Sequence, residues 1–213
     1  MKFQTQHLNN DQYFHALHPK QNIVLHHTVS STAKSALTWW GNTEERVATA
    51  FLIDKDGTVI NTFDPMFWAW HLGLRHQRNG ELNRRSIGIE IVNEGPLWKH
   101  KDGSLRWFHA NGPKYIHPIS GPLAPVPNEG QWRMNCQFWA AYTPQQYDAL
   151  NDLIPTLLTR FNLPGTINKN LDYDKTLAVA DKFTIFTHAN VRADKSDLSP
   201  AFDFDKLNTS WQE

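Results

Sequence analysis

Three short apolar runs in this chain each end on a side chain able to do chemistry: Asn22-Ile-Val-Leu-His26, Ile87-Gly-Ile-Glu90 and Thr184-Ile-Phe-Thr-His188. Runs this short and this rich in β-branched and aromatic residues read as strands. A strand end holds a side chain rigidly where the chain opens into loops, so it is a good mount for catalytic groups. A fold that serves all three must gather these strands so that their ends can meet. That requirement argues for an α/β domain: one central mixed β-sheet flanked by helices.

The remaining segments fit the same plan. Ser31 to Trp40 reads as a helix, with Ser31 or Thr32 as cap and Gly41 as stop. Ala48–Ile53 and Thr58–Phe63 flank the tight turn Asp54-Lys-Asp-Gly57 and predict a hairpin. Phe67 to Gly73 is an aromatic loop. Thr143-Pro-Gln-Gln146 carries a capping box with proline at the first helical position. Tyr147, Leu150, Leu153, Ile154, Leu157 and Leu158 then line one helical face. Pro155 lies inside that helix and is expected to kink it, because it frees the carbonyl of Asn151.

Two segments stand apart. Residues 1–20 are polar and read as a surface arm or a short helix. Residues from about 95 to 141 are rich in proline and tryptophan and lack the periodic apolar residues of an independent core, so they read as a long irregular insertion in a single domain spanning 1–213. Trp98, Trp107, Trp132 and Trp139 within it offer aromatic faces for sugar rings, or serve packing; the structural role is the favoured one.

Composition removes several classes of function. Lys plus Arg and Asp plus Glu number 21 each, so net charge makes no case for nucleic acid. Cys136 stands alone, which rules out an intrachain disulfide and a thiolate cluster. The first residues are polar and lack the apolar core of a signal peptide. No stretch approaches the ~20 apolar residues of a membrane span.

The chemistry concentrates after the last strand, where His188, Lys195 and Asp197 fall within ten residues. Neutral imidazole and carboxylate both bind zinc, and catalytic zinc typically takes three protein ligands. His26, His188 and Asp197 meet that count. Glu90 is then available as a base toward water, and Lys195 to steady an oxyanion. The plain alternatives are a surface loop that happens to carry these residues, and a Glu90 paired with Arg84 or Arg85. His27 rivals His26, but adjacent strand residues face opposite ways, so only one of the two can enter the site.

Six segments in order give this pattern a family likeness: Ile23-Val-Leu-His26-His-Thr28, Phe51-Leu-Ile-Asp-Lys-Asp-Gly57, Ala69-Trp-His71-Leu-Gly73, Asn83 with Ser86-Ile-Gly-Ile-Glu90, Tyr142-Thr-Pro-Gln-Gln-Tyr147, and His188 through Phe204. Together they resemble the zinc-dependent N-acetylmuramoyl-L-alanine amidases of the type 2 family, relatives of phage T7 lysozyme and of peptidoglycan recognition proteins. The resemblance implies the fold of that family and one Zn2+ per chain on His26, His188 and Asp197. It selects His26 over His27, and it makes Glu90 and Lys195 catalytic. In the T7-like branch a tyrosine on the hairpin strand shares this work, whereas the position here is Thr49. Lys195 and Asp197 also come one residue sooner after His188 than the family pattern suggests.

Trp70 and His71 in the Ala-Trp-His segment are expected against substrate, with His71 alternatively behind a ligand or purely structural, and Asn93 and Arg75 are candidates to contact glycan or stem peptide. The implied reaction is hydrolysis of the amide between N-acetylmuramic acid and L-alanine in peptidoglycan, as a lysin-like enzyme that degrades the cell wall. A cytosolic amidase recycling anhydromuropeptides and a non-catalytic peptidoglycan-binding module are the rivals. The expected chain is a monomer without nucleic-acid or membrane partners, made in the cytoplasm and acting on the wall after release.

Overall fold

The computed structural model of the protein describes residues 2–108, 115–119, 124–128, 132–177, 182–208 and 210. Its centre is a six-stranded mixed sheet. The strands are β1 (Lys2–Thr5), β2 (Asn22–His27), β3 (Phe51–Ile53), β4 (Thr58–Asn61), β5 (Ser86–Ile91) and β11 (Ile185–Thr187), in the order β1-β4-β3-β5-β2-β11. Only the β3–β4 hairpin is antiparallel; the other neighbours run parallel. The inner strands β2, β3, β5 and β11 are buried almost throughout because both faces of the sheet are covered there, as parallel sheets require, while β1 at the edge is exposed.

Alternation along β2 sorts its side chains between two cores. Ile23 and Leu25 join Ile87, Ile89 and Ile91 on one face, under α3 (Pro144–Phe161) with Leu150, Leu153, Ile154 and Leu157. Val24 and Phe186 face the other way, against Leu72, Leu74, Leu82 and Val191. The helix α1 (Ala33–Asn42) starts at Thr32, whose side chain accepts from the Ser35 amide, and runs past Gly41 to end at Thr43. In α3 the capping box of Thr143 and Gln146 is formed, and the helix continues through Pro155 without a break.

Two further local readings change, and one stretch without an assignment turns out helical. Residues 2–5 are not an arm or a helix but an edge strand, because the backbone of β1 finds open hydrogen-bonding positions along β4. The polar stretch before β5 forms a short helix, α2 (Asn79–Arg85). The insertion is also more regular than its sequence suggests. It carries β6 (Pro96–Lys99), β7 (Leu105–Phe108), β8 (Tyr115–Pro118), β9 (Val126–Pro127) and β10 (Phe138–Trp139), paired antiparallel in the order β8-β7-β6-β10-β9. Strands of two to four residues leave too short a window for alternation to appear in sequence. Trp139 is fully buried there and donates to the Asn128 side chain at 2.9 Å. Among the described residues, no helix is long and apolar enough to cross a membrane.

Candidate metal centre and active site

The parallel strands β2, β5 and β11 end at one edge of the sheet, the edge at which open α/β sheets bind their ligands. His26 lies one residue before the end of β2, Glu90 one before the end of β5, and His188 directly after β11. His26 and Glu90 are register partners on adjacent parallel strands, so both side chains leave the same face of the sheet. His27 points to the opposite face, where its Nδ1 lies 2.9 Å from the Tyr142 hydroxyl. Alternation thus excludes His27 from the site.

His188 opens a single helical turn, α4 (His188–Val191). The turn is tied to the residue before it by the Asn190 side chain, which accepts from both the Thr187 amide (2.8 Å) and the Thr187 hydroxyl (2.9 Å). The chain then loops back until the Ala189 amide meets the Asp197 carbonyl at 2.6 Å. This closure sets the Asp197 carboxylate beside the imidazole of His188, nine residues earlier.

Three ligating atoms converge. His26 Nδ1 lies 3.1 Å from His188 Nδ1 and 3.1 Å from Asp197 Oδ2, and His188 Nδ1 lies 2.9 Å from the same oxygen. All three residues are buried. Tetrahedral zinc with bonds of about 2.0–2.1 Å would set its ligand atoms roughly 3.3 Å apart, close to these spacings.

Hydrogen bonding decides which ring nitrogens are bare. His188 Nε2 lies 2.7 Å from the Leu72 carbonyl, which can only accept, so the proton of the neutral ring is on Nε2. For His26 the order comes from further away. The Ser86 hydroxyl donates to the Leu82 carbonyl at 2.6 Å, so it accepts from His71 Nε2 at 2.8 Å. His71 Nδ1 is then an acceptor, and His26 Nε2 donates to it at 2.9 Å. Both Nδ1 lone pairs therefore face a carboxylate oxygen across about 3 Å. A cation placed between them would meet all three lone pairs, and the donor set of two imidazoles and a carboxylate fits a zinc ion.

The charges agree with this picture. Burial holds His26 down to about 4, with Asp197 opposing, and pushes His71 well below the ordinary histidine range. Burial works against the charge of Asp197, but His188 and His26 hold its carboxyl well below the usual range. Glu90 keeps part of its surface open, yet the protein packed around it and the Asp197 charge push it up to about 8, with Lys195 acting against them. Glu90 and Lys195 thus feel each other and the His26–His188–Asp197 cluster. Arg85 turns away from Glu90, bonding Gln21 at 2.9 Å.

The other expected site residues are dispersed. Arg75 is exposed and lies 3.7 Å from Asp194, next to Lys195. Trp70 packs edge-on to Trp68 and Phe14. Asn93 is buried and internal: its amide donates to the Ala140 and Ala141 carbonyls at 3.1 and 3.2 Å, and its oxygen accepts from the Gly95 amide at 2.7 Å. Both nitrogens of His71 are taken up inside the protein, by His26 and Ser86, which places it behind His26. Gly88 makes room for this ring, since a Cβ there would stand 3.2 Å from His71 Nδ1 and 2.7 Å from Thr49 Cγ2. Thr49 itself is buried, with its hydroxyl donated to the Phe51 carbonyl. Ser86 and the Leu72 carbonyl escape sequence reasoning, since a serine at a strand start and a backbone oxygen carry no signal of their own.

A family model described as N-acetylmuramoyl-L-alanine amidase matches residues 17–200. Solved structures give the same fold at low identity. The Staphylococcus aureus hydrolase AmiA in complex with its ligand aligns over 100% of this chain and 82% of its own, at 14% identity and a TM-score of 0.56. A mutant endolysin from Bacillus subtilis aligns over 92% and 89%, at 15% identity and 0.51. The N-acetylmuramoyl-L-alanine amidase LysC from Clostridium intestinale aligns over 97% and 94%, at 15% identity and 0.50. A comparison with curated protein sequences finds no match.

Proposed function

The chain belongs to the N-acetylmuramoyl-L-alanine amidase family, an enzyme family acting on peptidoglycan, and from that premise we propose that it works as a zinc amidase through His26, His188 and Asp197. The observation that carries this reading is the convergence of two bare imidazole nitrogens and a carboxylate oxygen, 2.9–3.1 Å apart. When bound, zinc would supply Lewis acidity toward the scissile carbonyl and toward water.

The protein residues do the rest. Glu90, beside His26 in register, accepts a proton from the attacking water and returns one to the L-alanine amine as it leaves. Lys195 offers its ammonium to the oxyanion that forms on the lactyl carbonyl. Arg75, exposed and 3.7 Å from Asp194, offers its guanidinium to an anionic part of the substrate in this reading, and Trp70 offers an aromatic face.

The proposed substrate is the polymer, in a lysin-like role; soluble anhydromuropeptide, the runner-up, differs in size and not in the bond cut. The whole of 1–213 acts as one domain in this reading. A digest of purified peptidoglycan with and without chelator, read by mass spectrometry, tests it. Metal-dependent release of stem peptides with a free L-alanine amine is the expected result. Cleavage of soluble muropeptides alone would move the enzyme to recycling, and cleavage of neither, with zinc bound, would leave a binding module.

A further inference from the structure

The loop that carries Lys195 and Asp197 is held from outside by one side chain of the insertion. Arg133 lies between β9 and β10, and its guanidinium donates to the carbonyls of Ala189 (2.9 Å), Arg192 (3.0 Å) and Lys195, with a longer contact to Leu171 (3.4 Å). Three of these acceptors belong to the single stretch 189–195. A loop closed this tightly points carbonyls inward, and each needs a donor. A guanidinium presents five donors in a rigid planar fork, so it meets several carbonyls at fixed angles, which an ammonium on a flexible stem does not. Asp172, Asp194 and Asp197 add negative charge around it, and its other face lies over the Trp132 ring at 4.8 Å.

We propose that Arg133 is a positioning residue for the metal centre: the insertion exists in part to deliver this guanidinium into loop 189–197. The two ligands His26 and His188 stand on or beside strands of the central sheet. Asp197 stands on the loop, so its place depends on the loop's curvature. The Ala189–Asp197 closure fixes one end of that curve, and Arg133 fixes its inside. This rests on the zinc reading above for its consequence, but the mechanical link does not.

The test compares Arg133→Ala and Arg133→Lys with the unmodified full chain by two readouts. Hydrogen exchange followed by mass spectrometry reports the amides of 188–198 against those of β2 and β5 in metal-free protein. Competition with a chromogenic chelator reports the zinc dissociation constant. We expect Arg133→Ala to speed exchange selectively in the loop and to weaken zinc binding by roughly 10–100-fold, the range for outer partners of metal ligands, with Arg133→Lys in between. Unchanged loop exchange would overturn the proposal. Exchange rising equally in β2 and β5 would also overturn it, by making Arg133 a general stabiliser. If the unmodified chain binds no zinc, the ligand assignment fails, and loop-selective exchange still decides the role of Arg133.

Discussion

His26 Nε2 donates to His71 Nδ1 at 2.9 Å, and that bond sets which nitrogen of His26 is free to bind a metal. His71 holds this orientation because Ser86, fixed by the Leu82 carbonyl, accepts from its other nitrogen. A backbone carbonyl thus dictates, through two side chains, the tautomer of a proposed ligand. His71→Ala is expected to weaken zinc binding by roughly 10–100-fold. Imidazole nitrogen NMR checks the cause: the metal-free variant should show His26 in mixed tautomers, where the unmodified protein shows the Nε2–H form alone. An unchanged spectrum would refute the relay.

Glu90→Gln separates chemistry from binding. The amide keeps the shape of the side chain but cannot take a proton, so zinc content should stay at one per chain while kcat falls by about 10²–10⁴-fold, the usual contribution of a general acid–base group. Full activity in this variant would remove Glu90 from the reaction.

Asp197→Ala takes away the carboxylate that both imidazoles face. Zinc affinity should drop by more than the roughly 10–100-fold of an outer partner, measured by chelator competition. The unmodified affinity in this variant would show that Asp197 is no ligand.

Two opposed shifts contribute to the pH dependence of stability in metal-free protein. Glu90 is raised from 4.5 to about 8, so between those values the folded state binds the extra proton and stability falls as pH rises. His26, lowered from 6.5 to about 4, acts oppositely: there the unfolded state binds the extra proton, and stability grows with pH through that window. Glu90→Gln removes only the first. Urea denaturation in chelator should therefore find the variant more stable than the unmodified protein at pH 8 and closer to it at pH 5. A constant difference across that range would contradict the raised carboxyl.

Leu150→Ala tests the frame beneath the site. The side chain is fully buried between α3 and the sheet, and its loss should cost about 2–5 kcal/mol, read from urea denaturation of the metal-bound protein. Zinc affinity of the folded variant should not move, because Leu150 lies on the face of the sheet away from His26.

Local sequence rules account for the central strands, the hairpin, the capped helix and the chemical inventory. These follow from local rules: β-branched runs, turn residues and capping boxes act over a few neighbours, so Asn22–His27, Asp54–Gly57 and Thr143–Gln146 announce themselves. The family likeness added the order of parts. Tertiary structure decided what depends on distant partners. The edge strand at 2–5 exists because β4 offers it hydrogen bonds, and the short strands of the insertion exist because they pair with one another. His71 became a partner of His26, and Asn93 an internal tie, because of atoms 45–48 residues away in sequence. Arg133 reaches carbonyls 56–62 residues further on. A hydrogen bond to a backbone carbonyl leaves no trace in the identity of the residue that supplies it, and such bonds hold the loop at this centre.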